Sequence, residues 1–336
     1  MRGSASLSRG AEPLRRKSMY RYVLKRLLLM IPVMLGVSLM IYCIMDLAPG
    51  DIIDIKAGDN IMTEEQEAAL RAKYGLDQPI IIRYLLYMNN LLHGDLGTSY
   101  TYNEPVMKLY LQRLPHTIKL ALASIFVSFT LSIPLGIIAA VKHGSLIDNA
   151  AMILALLGLS IPNFWLGLML IIYFSNKWGL LPSGGDDAGI KSLILPAITI
   201  GTGHMAALTR TTRSSMLDVI RKDYLRTARA KGALERRVIF RHALKNAMIP
   251  ILTILGTQLT SILGGSVLTE TVFTWPGVGR LVVESINGRD VPTATGLLIL
   301  KTIVMSFIVL IVDLLYAAVD PRVKARYSKG GKKKKE

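Results

Sequence analysis

The sequence predicts an all-α polytopic membrane protein with six transmembrane helices. Three observations carry this. Hydrophobic residues fill 51% of the 336 positions and the mean hydropathy is +0.42, a balance suited to a chain embedded in lipid. Six apolar stretches are each long enough to cross a hydrocarbon core of about 30 Å at about 1.5 Å per helical residue. The basic residues also collect at the edges of those stretches. Of 40 Lys and Arg, eight precede Leu27, eleven lie from Arg210 to Lys245 and eight follow Asp320.

That placement decides what the formal charge of +17 means. Charge gathered where a chain leaves the bilayer follows the positive-inside rule, so a lipid bilayer and no nucleic acid is the expected partner. By side, 28 Lys and Arg fall with the termini and the loops around Lys142 and Lys231, 10 fall in the opposite loops, and Lys119 and Lys301 lie within spans. Both termini are therefore expected in the cytoplasm, on a multi-pass protein of the cell (inner) membrane. The region to Ser18 lacks an apolar core followed by a small-residue cleavage site, so no cleaved signal is expected, and residues 1–22 are expected to form a cytoplasmic tail. Residues 321–336 are expected to form a second, basic tail, with Lys332–Lys335 as a solvated run.

The first span is expected from about Val23 to Met45, with Arg21, Lys25 and Arg26 marking its cytoplasmic start. From Asp51 to Pro115 the chain is polar, with a short helical pattern at Glu64–Lys73 and turn-forming Gly94 and Gly97. Residues 23–115 thus comprise the first helix and an extracytoplasmic subdomain. Residues 116–320 hold the remaining core: spans at Thr117–Val141, Ala150–Phe174, Leu193–Thr211, Ile249–Glu270 and Ala294–Val319. Pro134, Pro162 and Pro196 fall inside the second to fourth, Pro32 lies in the first and Pro250 opens the fifth. Proline in a membrane helix frees backbone groups that protein or water must satisfy, which suits a bundle around a hydrated path.

The fourth span, with Gly201, Gly203, His204 and Thr209, is the least apolar and is expected inside the bundle. Tyr42, Tyr173 and Trp178 fall at outer span ends, where aromatic rings favour the interface. His204, Gln258, Trp275 and Asp313 are the candidate pathway or gate residues. Asp313, a carboxylate within the last span, is either functional or a buried hydrogen-bonding group in helix packing.

Between the fourth and fifth spans lies the basic segment 213–248. Ser215 followed by Asp218 has capping-box spacing, so a helix is expected to start there. Gly232 would end it by taking the left-handed backbone, and a second helix would run from Ala233 through Arg241. No chemistry of an active site appears. There is no Gly-x-x-x-x-Gly-Lys-Ser/Thr phosphate loop. The five histidines are dispersed, Cys43 is single, and Asp186-Asp187 is a lone acidic pair in a glycine-rich turn, so no metal or cofactor is expected.

Several strings resemble one family. Tyr224-Leu-Arg-Thr-Ala-Arg-Ala-Lys-Gly232, followed by Arg241-His-Ala-Leu-Lys-Asn-Ala-Met-Ile-Pro250, is similar to the cytoplasmic coupling loop of ABC-importer permeases of type I fold. More narrowly it resembles the dipeptide/oligopeptide/nickel permease family, B-type subunit. The general loop carries Glu-Ala-Ala, three residues and glycine; Arg226-Thr227-Ala228 stands there, so only the alanine and Gly232 match. Leu47-Ala-Pro-Gly-Asp51, Tyr74-Gly-Leu-Asp-Gln-Pro79, His93-Gly-Asp-Leu-Gly-Thr-Ser99, Glu270-Thr-Val-Phe-Thr-Trp-Pro-Gly-Val-Gly-Arg280 and Asp320-Pro-Arg322 resemble the same subfamily, in family order.

The resemblance implies a non-catalytic translocating subunit. It implies a second homologous permease, two cytoplasmic ATPase subunits and an extracytoplasmic substrate-binding protein, with short peptides, or nickel and its chelates, as substrate. It places ATPase coupling on Tyr224, Arg226, Ala228, Arg229, Ala230, Lys231, Gly232, Glu235 and Arg236. For the extracytoplasmic subdomain it leaves two roles open, a packed module or part of a docking surface for the delivery protein. The rival from another class, an ion-coupled secondary transporter, needs a coupling-ion site. Intramembrane charge is limited to Lys119, Lys301 and Asp313.

Overall fold

The computed structural model describes residues 11–47, 50–57 and 62–319. In chain order the helices are α1 (Ala11–Leu47), α2 (Ile52–Ala57), α3 (Glu64–Tyr74), α4 (Ile80–Leu92), α5 (Val106–Val141), α6 (Leu146–Ser160) and α7 (Asn163–Leu170), the last extended by a π-helical turn, Ile171–Lys177. There follow α8 (Ile190–Gly203), α9 (Met205–Ile220), α10 (Asp223–Ala230) and α11 (Glu235–Arg237), which runs through a second π-helical turn, Val238–Ala243, into α12 (Leu244–Gly265). Then come α13 (Val267–Val272), α14 (Val278–Asn287) and α15 (Val291–Val319). Among the described residues the only extended pairing is an isolated bridge between Thr98 and Pro105.

Among the described residues, four stretches are long and apolar enough to cross a membrane: Leu28–Leu47, Val106–Val141, Glu235–Gly265 and Val291–Val312. Two bent pairs, α6 with α7 at 94° and α8 with α9 at 55°, bring the number to six if each counts as one span. The first bend has a local cause. Pro162 forces Ile161 out of helical conformation, to φ −82° and ψ 122°, and the helix restarts at Asn163. Pro32, Pro134, Pro196 and Pro250 lie within helices that continue past them.

Several boundaries differ from expectation. The first helix begins at Ala11, well before the apolar stretch, because apolarity sets the span while Leu, Arg and Lys propagate the helix beyond it. The fourth span breaks at His204, and its second half continues past Thr211 to Ile220. Ser215 is therefore buried inside α9 and caps nothing. The helix of the basic segment starts instead at Asp223, where Lys222 turns extended at ψ 145°. A capping pattern acts only where the chain arrives non-helical, and the uninterrupted run from Met205 keeps Ser215 helical. The second helix starts at Glu235, two residues after Ala233.

The described residues divide into two compact units, those up to Arg113 with those from Leu281 onward, and Leu114–Arg280. In the first, α1 packs along α15, and α4 packs on α1 around buried Tyr42, Tyr87 and Ile299. The expected Glu64–Lys73 helix is α3. It opens on a capping box in which Gln66 N–H donates to Thr63 Oγ1 (3.4 Å) and Thr63 N–H to Gln66 Oε1 (3.1 Å), and it ends on left-handed Gly75. In the second unit α9 packs against α12 and α6, around Leu208, Met216, Leu225, Val238 and Ile251. Gly201 makes one close approach possible: a Cβ there would stand 2.8 Å from Ser124 O on α5.

Candidate functional site

The basic hairpin is built on one buried anchor. Helix α10 is too short to hold its shape alone, and Leu225, fully buried, ties it into the apolar cluster of the second unit. Burying a leucine side chain contributes about 2 kcal/mol. Ala228 and Ala233 pack against the same cluster. The turn closes on Gly232, at φ +78°, with Gly232 N–H donating to Arg229 O (2.9 Å) and Ala233 N–H to Ala228 O (3.2 Å). A non-glycine residue in this left-handed region loses about 1–2 kcal/mol. Across the turn Arg229 grips Glu235 with two charge-assisted hydrogen bonds, Nε to Oε2 (3.0 Å) and an Nη to Oε1 (2.8 Å). The Glu235 contact holds the Arg229 guanidinium above its ordinary pKa.

This packing sorts the expected coupling residues. Ala228 faces inward, and Arg229 and Glu235 hold each other. Tyr224, Arg226, Ala230, Lys231, Gly232 and Arg236 are exposed. Tyr224 is oriented by Asn246, whose Nδ2–H donates to the phenol oxygen (2.9 Å) and to His242 O (2.9 Å). Leu234, which sequence reasoning missed, is 78% exposed at the tip beside these cations. Its signal was an apolar residue directly after the glycine turn. A bare leucine flanked in sequence by exposed Lys231 and Arg236 can seat on a protein surface that is acidic at its edge and apolar at its centre.

A second constellation fixes the approach to the hairpin. Asp148, buried at the start of α6, accepts two bonds from Arg213 on α9, at 2.7 and 2.8 Å, and one from Gly144 N–H (3.0 Å). His143 Nδ1 lies 3.2 Å from the same carboxylate. Ser145 caps α6 by accepting from Asp148 N–H (3.3 Å). Sequence reasoning missed this pair, although Ser145-x-x-Asp148 is a helix-start signal.

The string from Glu270 to Arg280 folds around a carboxylate. Glu270 is fully buried and accepts from Thr117 Oγ (3.0 Å), Ser266 Oγ (2.8 Å) and Arg280 N–H (3.0 Å). Gly277 lines the cradle, since a Cβ there would stand 2.4 Å from the carboxyl carbon. Trp275 is completely buried, with Nε1–H donating to His116 O (3.0 Å). Within this chain Trp275 anchors the turn.

Of the other candidate pathway residues, His204 and Gln258 come together. At the α8–α9 break, buried Gln258 donates Nε2–H to His204 O (2.8 Å). Ser132 on α5 donates to the next carbonyl, Met205 O (3.3 Å). Gln258 therefore ties α12 to the backbone at the break. Asp313 lies on α15 with its side chain outside the described residues, as do Asp320-Pro-Arg322 entirely.

In the first unit, Ser99 Oγ and Thr101 N–H donate to buried Asp290, which also caps α15 through Thr293 N–H. The Gly94–Ser99 string thereby folds onto the residue before the last helix. Beside it a cavity of about 300 Å³ is lined by Tyr42, Asp51, Arg71, Arg83 and Tyr100, among others. Burial, with Asp290 as a lesser cause, pushes the Tyr100 phenol up to about 12.

The bent spans, the basic hairpin and the cradled Glu270–Arg280 turn describe an α-helical membrane subunit, and sequence relatives say which. Residues 132–325 match the family of binding-protein-dependent transport system inner membrane components, and residues 19–121 match the N-terminal model of the same membrane components. The oligopeptide transport system permease protein AppB of Bacillus subtilis is 42% identical over 316 residues, covering 91% of this chain and 100% of the relative. The dipeptide transport system permease protein DppB of Escherichia coli K12 is 39% identical over 336 residues, covering 91% and 99%. The inward-facing MetNI methionine ABC transporter is similar in fold, with a TM-score of 0.55 at 20% identity over 65% of this chain and 99% of that one. This chain belongs to the binding-protein-dependent transport system inner membrane component family. As a member it is a multi-pass translocating subunit and not an enzyme.

Proposed function

We propose that the chain is one of two permease subunits of an ATP-driven importer of short peptides, with both termini and the Asp223–Arg237 hairpin in the cytoplasm. Its partners would be a second homologous permease, two ATPases seated on the hairpins and an extracytoplasmic binding protein. Peptides are preferred to nickel because the relatives cited above are peptide permeases. One observation carries the mechanical part. The hairpin is locked internally by Arg229–Glu235 and bolted to α9 and α12 through Leu225, so a push on its tip is delivered to the helices and not absorbed in the loop. An ATPase that binds the hairpin differently in its open and closed states would then bias the bundle between two arrangements. Residues 23–115 would hold the extracytoplasmic subdomain and 116–320 the translocating core.

The test is uptake of labelled di- to pentapeptides by liposomes carrying the assembled transporter, with binding protein supplied on the extracytoplasmic side. ATP in the compartment of the ATPases should drive uptake, vanadate should stop it and collapse of ion gradients should leave it. Uptake that follows the ion gradient and ignores vanadate would overturn the proposal.

A further inference from the structure

Helix α4, expected within an extracytoplasmic subdomain, has the wrong surface for water. Its 13 residues, Ile80–Leu92, carry only Arg83, Asn89 and Asn90 as polar side chains other than tyrosine. A helix apolar around most of its circumference belongs in an apolar surrounding. One side is covered: Ile80, Tyr84, Tyr87 and Leu91 pack in the cluster with Tyr42 and Ile299. The other side, with Ile81, Ile82, Leu85 and Leu86, is exposed, Ile81 at 69% and Leu85 at 60%.

Three contacts locate α4 along the first span. The rings of Tyr42 and Tyr84 meet edge to face, with centroids 5.4 Å apart, and Tyr42 stands about 7.5 Å along the helix axis from the Leu47 end. The Tyr84 hydroxyl reaches further in. It donates to Leu35 O (3.2 Å) and lies 3.0 Å from Ser38 Oγ, although Leu35 is about 18 Å from that end. Arg83, on a different side of α4, pairs in the opposite direction with Asp46 near the end of the span. The helix thus packs beside the span some way below its Leu47 end; if that end marks the bilayer edge, this is the depth at which interfacial helices settle, about 5–10 Å into the headgroup–acyl boundary. Its bare side matches in character the exposed side of α1, where Leu39, Met40 and Ile44 are exposed.

We infer that α4 is a membrane-immersed interfacial helix whose Ile81–Leu86 side binds the acyl chains of the leaflet at the Leu47 end of α1, with Arg83 directed towards the headgroups. The occupant is lipid and not a protein partner, because the bare side carries no charge and shares its depth with a membrane span. Immersion lets α4 brace the first span from the side and leaves α2 and α3 as the water-exposed part of the segment. The inference rests on α1 crossing the bilayer and not on the transport reading.

Spin-label accessibility tests it. Nitroxides would be attached at Leu85→Cys and Ile82→Cys in a Cys43→Ala background of the full chain, in liposomes of phosphatidylethanolamine and phosphatidylglycerol. Leu39→Cys supplies the lipid reference and Glu65→Cys the aqueous one. The expected result is relaxation of the Leu85 and Ile82 labels by oxygen, as at Leu39, with little effect of a water-soluble nickel chelate. Strong relaxation by the chelate, as at Glu65, would place the face in water and overturn the inference. Protection from both reagents would mean that protein covers it and would also overturn it.

Discussion

Arg213 and Asp148 join α9 to the start of α6 through two hydrogen bonds, at 2.7 and 2.8 Å, across 65 residues of sequence. The carboxylate is buried, whereas about a quarter of the arginine side chain reaches solvent. That asymmetry gives a prediction. Arg213→Met strands a buried charge and should cost about 3 kcal/mol, whereas Asp148→Leu leaves an arginine able to turn to water and should cost less. The double variant should regain most of the loss, because it replaces a buried pair with apolar volume. Thermal unfolding in detergent reads all three, and equal losses for the two single variants would contradict the account.

The glycine at the hairpin turn has room but lacks freedom. A Cβ at Gly232 would meet nothing within 4 Å, yet φ is +78°. Gly232→Ala should therefore cost about 1–2 kcal/mol, from backbone strain alone, and Gly232→Val more, since a branched side chain fits the left-handed region poorly. In reconstituted transporter the valine variant should lose substrate-stimulated ATP hydrolysis first. Identical hydrolysis in both variants would show that the turn geometry does not matter.

The Glu270 cradle predicts intolerance on both its sides. Glu270→Ala leaves Thr117 Oγ, Ser266 Oγ and Arg280 N–H without their acceptor and should cost about 3 kcal/mol or more. Gly277→Ala keeps every hydrogen-bonding group but drives a methyl into the carboxylate, for about 1–3 kcal/mol. Glu270→Gln preserves shape and should be the mildest. Melting temperatures of the purified chain check that order.

Two leucines in the hairpin should part company. Leu225→Ala empties a fully buried site and should cost about 2–5 kcal/mol. Leu234→Ala removes an exposed side chain and should leave melting within about 0.5 kcal/mol of the parent, while weakening capture of the ATPase. Loss of stability at Leu234 would move it from the docking tip to the core.

Legibility followed the physics of each feature. Spans were readable because length and apolarity are local properties, and Gly232 was readable because few residues take its backbone conformation. Ser215 misled because a cap depends on whether the preceding chain is already helical, which the pattern Ser-x-x-Asp does not encode. Ala228 looks like a docking residue in the string but packs inward, since the face of α10 is chosen by Leu225 and the cluster beneath it. Trp275 and Gln258 are candidate pathway or gate residues in the sequence, and each donates to a backbone carbonyl, Trp275 to His116 O and Gln258 to His204 O. Asp148–Arg213 and Glu270–Thr117 are long-range pairs, 65 and 153 residues apart, and no local pattern announces such a partner.

The central claim is that the exposed tip of the hairpin seats an ATPase. Replacing Leu234 with the photo-reactive residue p-benzoylphenylalanine, and irradiating the assembled transporter in its membrane, tests that contact directly. The account predicts an adduct with a polypeptide that carries the Gly-x-x-x-x-Gly-Lys-Ser/Thr phosphate loop missing from this chain, and its loss when Arg226 and Arg236 are both reversed to Glu. Adducts with lipid alone, or with a protein lacking that loop, would contradict it.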